Sequence, residues 1–235
     1  MTQRSLAAKL PKPIDSGILA KAALLAPEFY LRDPRRVAPD LLGKLLVRRD
    51  GRQLRAGRIV ELEAYLGVDD PAAHAYRGPT ARNQVLFGPP GRAYIYFIYG
   101  FHYCLNISCE PDGQAGSVLI RALEPVAGFE LMYAARDLEP NHGRLPELRL
   151  LTSGPGRLAE AFSITRERDN GKNVTDRRSD LQVVNDGWVP KKVVTTVRIG
   201  ITKAAEEKLR YVIYGNPFVS GGKRLNGTSV KQESQ

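Results

Sequence analysis

Apolar and polar positions alternate with period two over Arg58–Ala64: Val60 and Leu62 fall on one side, Glu61 and Glu63 on the other. This pattern predicts a strand. Upstream, Leu41/Leu45 and Leu42/Leu46 stand four residues apart within Val37–Arg48. That segment is expected to start as a helix and to pass into a strand near Leu45–Arg48. Arg92–Tyr99 is dense in aromatic and β-branched residues, which predicts a second strand; Gly100 then permits a tight connection into Tyr103–Ser108. A fourth strand, Ser117–Ala122, follows the turn Asp112–Gly116, and Val193–Ile199 is a further strand candidate. Helices are expected within Pro13–Leu24, over Phe129–Ala135, and from Ser153-Gly154-Pro155-Gly156 through Phe162. Leu138–Leu148, with Pro140 and Pro146, reads as a loop, and Asp169–Asp180 as a charged surface excursion. The picture is a β-rich centre flanked by short helices.

The chain has 235 residues, 43% of them apolar, enough for one domain or at most two small ones with a real core. Residues 1–15 read as a loose arm and Thr228–Gln235 as a tail with little to bury. No repeat period and no clear linker divides the rest. Lys and Arg outnumber Asp and Glu by 35 to 25, a net charge of +10 that favours a polyanionic partner without choosing DNA over RNA. The two cysteines, Cys104 and Cys109, make no disulfide scaffold and argue weakly for a reducing compartment. No secretory signal and no run near the ~18 apolar residues of a membrane span is present. A cytoplasmic protein is the simplest expectation.

Candidate chemistry concentrates in Glu61-Leu62-Glu63-Ala64-Tyr65 and the loop that follows, with His74, Tyr76 and Arg77. Either glutamate alone would be an ordinary surface residue. Here the strand is otherwise apolar, and the loop can close a polar aromatic pocket in which a carboxylate acts as general base on water. His74 either positions a ligand group or satisfies a buried hydrogen bond. Three histidines, His74, His102 and His142, with no HExxH pattern or cysteine pair, make a poor metal site, although carboxylate ligation of magnesium stays open.

The run from Tyr94 to Tyr103 holds six Tyr or Phe residues, more than one strand pair usually needs. Tyr94, Tyr96 and Ile98 share one side, and Ile95, Phe97 and Tyr99 the other. Core packing is expected for Phe97 and Ile98. Tyr99, Phe101 and His102 are expected near an exposed tip, where an aromatic ring beside a basic surface can fill a gap in a base stack. Arg77, Arg82, Arg92 and Arg121 are candidate phosphate or pocket contacts. The amides at Ser153–Gly156, with Arg157, suit either a phosphate or a simple helix cap.

The stretch IVELEAYLGVDDPAAHAYRGPTARNQVLFGPPGRAYIYFIYGFHYCLNIS resembles the alkyladenine (3-methyladenine) DNA glycosylase family, and the likeness continues through GSVLIRALEPVAG and LTSGPGRLAEAFSI, from about Leu25 to about Gly221. The resemblance implies a mixed α/β fold, a single glycosylase domain over residues 16–227 built on a curved antiparallel sheet with a protruding hairpin. It implies Glu63, not Glu61, as general base, with Arg121 beside it. It implies Tyr65, His74 and Tyr96 as base-stacking residues, and Asn106 as the group that excludes the amino group of normal guanine. Tyr99 matches the wedge, with Phe101 and His102 near the duplex. Arg77, Arg82, Arg92 and Arg157 remain possible phosphate contacts. Members often carry a bulky apolar or aromatic pair after the hairpin glycine; here the pair is Phe101-His102.

The implied reaction is hydrolysis of the N-glycosidic bond of a flipped-out purine, with no metal or organic cofactor. The implied substrates are 3-methyladenine, 7-methylguanine, hypoxanthine and ethenoadenine in double-stranded DNA, acted on by a monomer. No lysine lies within the Glu63 block or the hairpin, so plain hydrolysis is expected over a Schiff-base lyase reaction. Two rival readings share the composition: a non-enzymatic binder of damaged DNA, and an RNA-binding or nucleoside-processing protein.

Overall fold

The computed structural model describes residues 13–98, 100, 102–140 and 145–221. They form a nine-stranded antiparallel sheet with seven short α-helices. The helices are α1 (Ser16–Lys21), α2 (Pro27–Tyr30), α3 (Pro34–Leu41), α4 (Phe129–Ala135), α5 (Leu145–Thr152), α6 (Pro155–Ala161) and α7 (Arg166–Asp169). The strands are β1 (Ala23–Leu24), β2 (Leu45–Asp50), β3 (Gln53–Tyr65), β4 (Ala93–Ile98), β5 (His102–Cys109), β6 (Gly116–Ala127), β7 (Leu181–Asn185), β8 (Val193–Thr196) and β9 (Arg210–Ile213). Their spatial order is β1-β7-β2-β3-β6-β5-β4, and β9 joins β3 and carries β8. The expected mixed α/β architecture is what the chain adopts.

The central strands of the sheet are buried on both faces. On β2, Leu46 enters the main core while its neighbours Leu45 and Val47 enter a second cluster covered by Leu19 of α1. Helix α3 starts where Asp33 accepts from the Arg35 amide at 2.7 Å and Pro34 occupies the first turn. It then buries Val37, Ala38 and Leu41. Asp33→Ala is expected to cost about 1 kcal/mol, read as a lower urea midpoint with an unchanged slope.

Strand β3 is the axis of the molecule and is longer than its alternation suggested. It pairs with β6 along one edge, and with β2 and then β9 along the other. Alternation left the glutamate face to be either a surface or a pocket; Ala56–Ala64 is buried throughout. The reason is coverage from both sides, helped by register shifts against β6 between Ile59 and Leu62. Glu61 and Glu63 are thereby carried into the interior.

Other expectations need correction. Within Leu138–Leu148 the structure places the start of α5, because Pro146 falls in the first turn, where its missing N–H costs no helical bond. Asp169–Asp180 is no free excursion: Asp169 and Arg48 are both fully buried and pair through two nitrogens at 2.7 and 2.9 Å. Arg48 also reaches Asp180 and the Phe162 carbonyl. Residues 13–15 belong to the folded body rather than to an arm: the Ile14 amide donates to the Val126 carbonyl at 2.9 Å and Asp15 caps α1. Strand Val193–Ile199 ends at Thr196, and the chain continues as a strap across the end of β3. Residues 1–12 and the tail beyond 221 lie outside the described residues.

Candidate active site

The two glutamates of β3 meet different surroundings. Glu61 is saturated by protein donors: Arg121 Nε at 3.0 Å, Arg210 Nε at 2.7 Å, the Ser220 amide at 2.6 Å and the Ser220 hydroxyl at 2.8 Å. Three of these donors reach Oε1 and the Ser220 amide reaches Oε2, so four protein donors already occupy a carboxylate that has about four lone-pair sites. Glu63 accepts from the Ile199 amide at 2.8 Å and from the Tyr65 hydroxyl at 3.0 Å, and Arg121 Nη1 lies 3.3 Å from the same oxygen as Tyr65. Both glutamates have no exposed surface. Burial raises the Glu63 carboxyl above the ordinary glutamate range, against the pull of Arg121, the Ile199 amide and Tyr65. Arg121 is held further into its charged form: desolvation works against it, and Glu63 and Glu61 outweigh that.

A cavity of about 340 Å³ opens against these groups, lined by Tyr65, Arg121 and Ile199 at its back. Glu63 itself does not form the wall; it stands directly behind it, bonded to all three of those residues. The side walls come from β4 and β5, where Tyr94, Tyr96, Cys104 and Asn106 face inward, and from the loop carrying Ala72–Ala75. Strand alternation explains the set: residues 94 and 96 share one face of β4, and 104 and 106 share one face of β5. Its size falls in the range of about 300–1,000 Å³ typical of small-molecule sites.

His74 is oriented by Tyr94. Its Nδ1 lies 3.0 Å from the Tyr94 hydroxyl, and its ring meets Tyr96 edge-on at 4.5 Å between centroids. Tyr94 and Tyr96 stack at 5.3 Å. Desolvation by these walls and then the charge of Arg82 hold the imidazole below its ordinary range, so it is neutral at pH 7. Asn83 fixes the loop behind it, donating to the carbonyls of His74 and Gly78 at 2.9 and 3.1 Å. Asn106 is nearly buried, and its amide nitrogen donates to the Ser117 hydroxyl at 2.9 Å. Burial lifts the Cys104 thiol to about 11, so it is a neutral wall group. Among the described residues, no group of three His, Cys, Asp or Glu side chains is placed to hold a metal ion.

Comparison with known proteins decides the family. A model of the methylpurine-DNA glycosylases matches residues 28–217. The chain belongs to the methylpurine-DNA glycosylase family. This glycosylase is 60% identical over 207 residues to a Koribacter versatilis protein named "Putative 3-methyladenine DNA glycosylase", covering 88% of this chain and 98% of the other. Proteins bearing the same name in Methanoculleus marisnigri and Rhodopseudomonas palustris are 47% and 43% identical. They align with 82% and 90% of this chain and 96% of each relative.

Measured against the expectations, the glycosylase brings Tyr65, His74, Tyr96, Asn106 and Arg121 together around one cavity, with Glu63 behind it. Tyr99 and Phe101 lie outside the described residues. Gly100 between them has φ 76°, a conformation that suits glycine at the hairpin turn. His102, expected near the duplex, has its ring packed on Gly156 of α6, and its Nδ1 lies 3.0 Å from Glu160. Arg77, Arg82 and Arg157 are exposed, whereas Arg92 is half-buried and bridges to Asn173. At the N-terminus of α6, no side chain caps the helix, and Pro155 lines the cavity.

Sequence reasoning missed Asp70, Asn83, Ser117, Arg198 and Arg210 as parts of this site. One signal was available: Arg198 interrupts the apolar pattern Val197-Arg198-Ile199, and a charge on such a stretch calls for a buried partner.

Proposed function

We propose that this glycosylase flips a damaged purine out of duplex DNA into the Glu63 cavity and hydrolyses its N-glycosidic bond. The observation that carries the reading is Glu63, a buried carboxylate with a raised pKa, held behind an aromatic cavity by two hydrogen bonds and Arg121. In this reading Tyr65, His74 and Tyr96 clamp the extruded base. Tyr99, with Phe101 beside it, fills the gap left in the duplex. Glu63 takes a proton from water as the water oxygen bonds to C1′, and the glycosidic electron pair leaves with the base. The carboxylate charge also favours the cationic sugar of the transition state. The product is an intact strand with an abasic site.

Asn106, fixed by Ser117, collides with the amino group of normal guanine and so admits 3-methyladenine, hypoxanthine and ethenoadenine, which lack that group; 7-methylguanine keeps it and is released because its ring charge makes it a better leaving group. The net charge of +10, with Arg77, Arg82, Arg92 and Arg157, supports sequence-independent phosphate contact. The enzyme works as a monomer in the cytoplasm, on the nucleoid if the source is bacterial. Among the described residues no helix is long and apolar enough to cross a membrane.

Base release from duplexes carrying each of the four lesions, read as strand cleavage after alkali, tests the reading. Release from at least one lesion is expected; binding without release from any would leave a damage-binding protein. A pH series with 7-methylguanine, whose own charge removes the need for base protonation, isolates Glu63. Release requires the ionised carboxylate and therefore falls as pH drops. Because burial raises that pKa, the acid limb is expected above the ordinary glutamate value of 4.5.

A further inference from the structure

Arg198 holds the catalytic end of β3 from three directions. Its Nη1 donates to the carbonyl of Ala64, the residue between Glu63 and Tyr65, at 3.1 Å. Its guanidinium carbon lies 4.7 Å from the centroid of the Tyr65 ring. The amide of the next residue, Ile199, donates to Glu63 Oε1. Arg198 is in turn fixed by Asp70, which meets both terminal nitrogens, Nη2 at 2.9 Å. Asp70 is nearly buried and also accepts from the amides of Leu66 and Ala72, closing the loop that leads to His74. One ion pair thus ties together the strand of the general base, the strap that hydrogen-bonds it and the loop that walls the cavity.

We propose that Arg198, locked by Asp70, is a positioning residue for Glu63, setting the carboxylate's orientation and its readiness to accept a proton; this rests on the reading of Glu63 as general base. A lysine at 198 keeps the charge but loses the bidentate fork and the ring stacking, so the strap and its Ile199 amide are no longer held against the carboxylate. The groups facing Glu63 are Tyr65 and Glu61 on its own strand, Arg121 from β6, and Arg198 with the Ile199 amide from the strap. Loosening the strap removes one hydrogen bond that favours the carboxylate and leaves the burial that disfavours it. The proton affinity of Glu63 then rises.

The test is single-turnover base release from a 7-methylguanine duplex across pH 4–8 for wild type, Arg198→Lys and Asp70→Asn, with circular dichroism and lesion-duplex Kd for each. The expected result for Arg198→Lys is a plateau rate about 10–100-fold lower, an unchanged Kd, and an acid limb displaced upward by about one pH unit. Asp70→Asn, which keeps one oxygen to accept from either Leu66 or Ala72 and loses the charge, is expected to shift both readouts the same way by less, and it carries the test if the lysine variant does not fold. Folded variants with wild-type rate and limb would overturn the proposal. So would a lower rate with an unmoved limb, or loss of fold in both variants, since each assigns the pair to structure alone. Failure of the underlying reading is seen separately, as a wild-type enzyme that releases no lesion or a Glu63→Gln variant of full activity.

Discussion

Glu63→Gln is expected to lower base release by about 10²–10⁴-fold while lesion-duplex binding stays close to wild type. Glutamine keeps the size of the side chain and an oxygen for the Ile199 amide, and it removes the group that takes the proton. The variant is also expected to fold fully. A carboxyl whose folded pKa lies above its unfolded value contributes stability below the unfolded pKa, and this contribution is lost as pH rises through the folded one. At pH 7 ionised Glu63 therefore costs stability, and a neutral replacement melts no lower than wild type. Thermal unfolding at pH 7 beside single-turnover kinetics separates the two effects. A variant that lost activity only because it unfolded would show a depressed melting temperature.

Glu61→Gln is expected to behave in the opposite way, with a loss of about 3–5 kcal/mol in folding stability as its main effect. Glu61 joins Arg121, Arg210 and Ser220, drawing β3, β6, β9 and the chain after β9 to one point. Neutralising it leaves Arg210, only 4% exposed, without its carboxylate. Urea unfolding checks this, and a loss below 1 kcal/mol would contradict it. Two residues apart on one strand, one glutamate holds the sheet together while the other is set against a cavity. The difference lies in how many protein donors each already satisfies.

That difference was not legible in the chain. Alternation located both glutamates on one side of a strand, and the aromatic run located the hairpin, because period-two patterns survive even where both faces are covered. The helix-to-strand passage at Val37–Arg48 was legible too, with α3 ending at Leu41 and β2 beginning at Leu45, although the pairs Leu41/Leu45 and Leu42/Leu46 span that boundary rather than share a helix face. Nothing local, however, reveals that β9 and the strap from Val197 return more than 130 residues later to cover Glu63. The charged segment Asp169–Asp180 was misread for the same reason, since Arg48, its buried partner, is 121 residues upstream of Asp169. The packing of His102 on α6, whose Gly156 leaves space for the imidazole, was not legible either, because turn proximity says nothing of α6. Long-range ion pairs hold this site together, and period and composition carry no signal for them.

The most direct measurement is a crystal structure of the Glu63→Gln variant bound to a duplex containing one hypoxanthine. The account predicts the purine turned out of the helix, lying among Tyr65, His74 and Tyr96, with its C1′ facing residue 63. A base still stacked in the duplex, or seated away from that cavity, would contradict it.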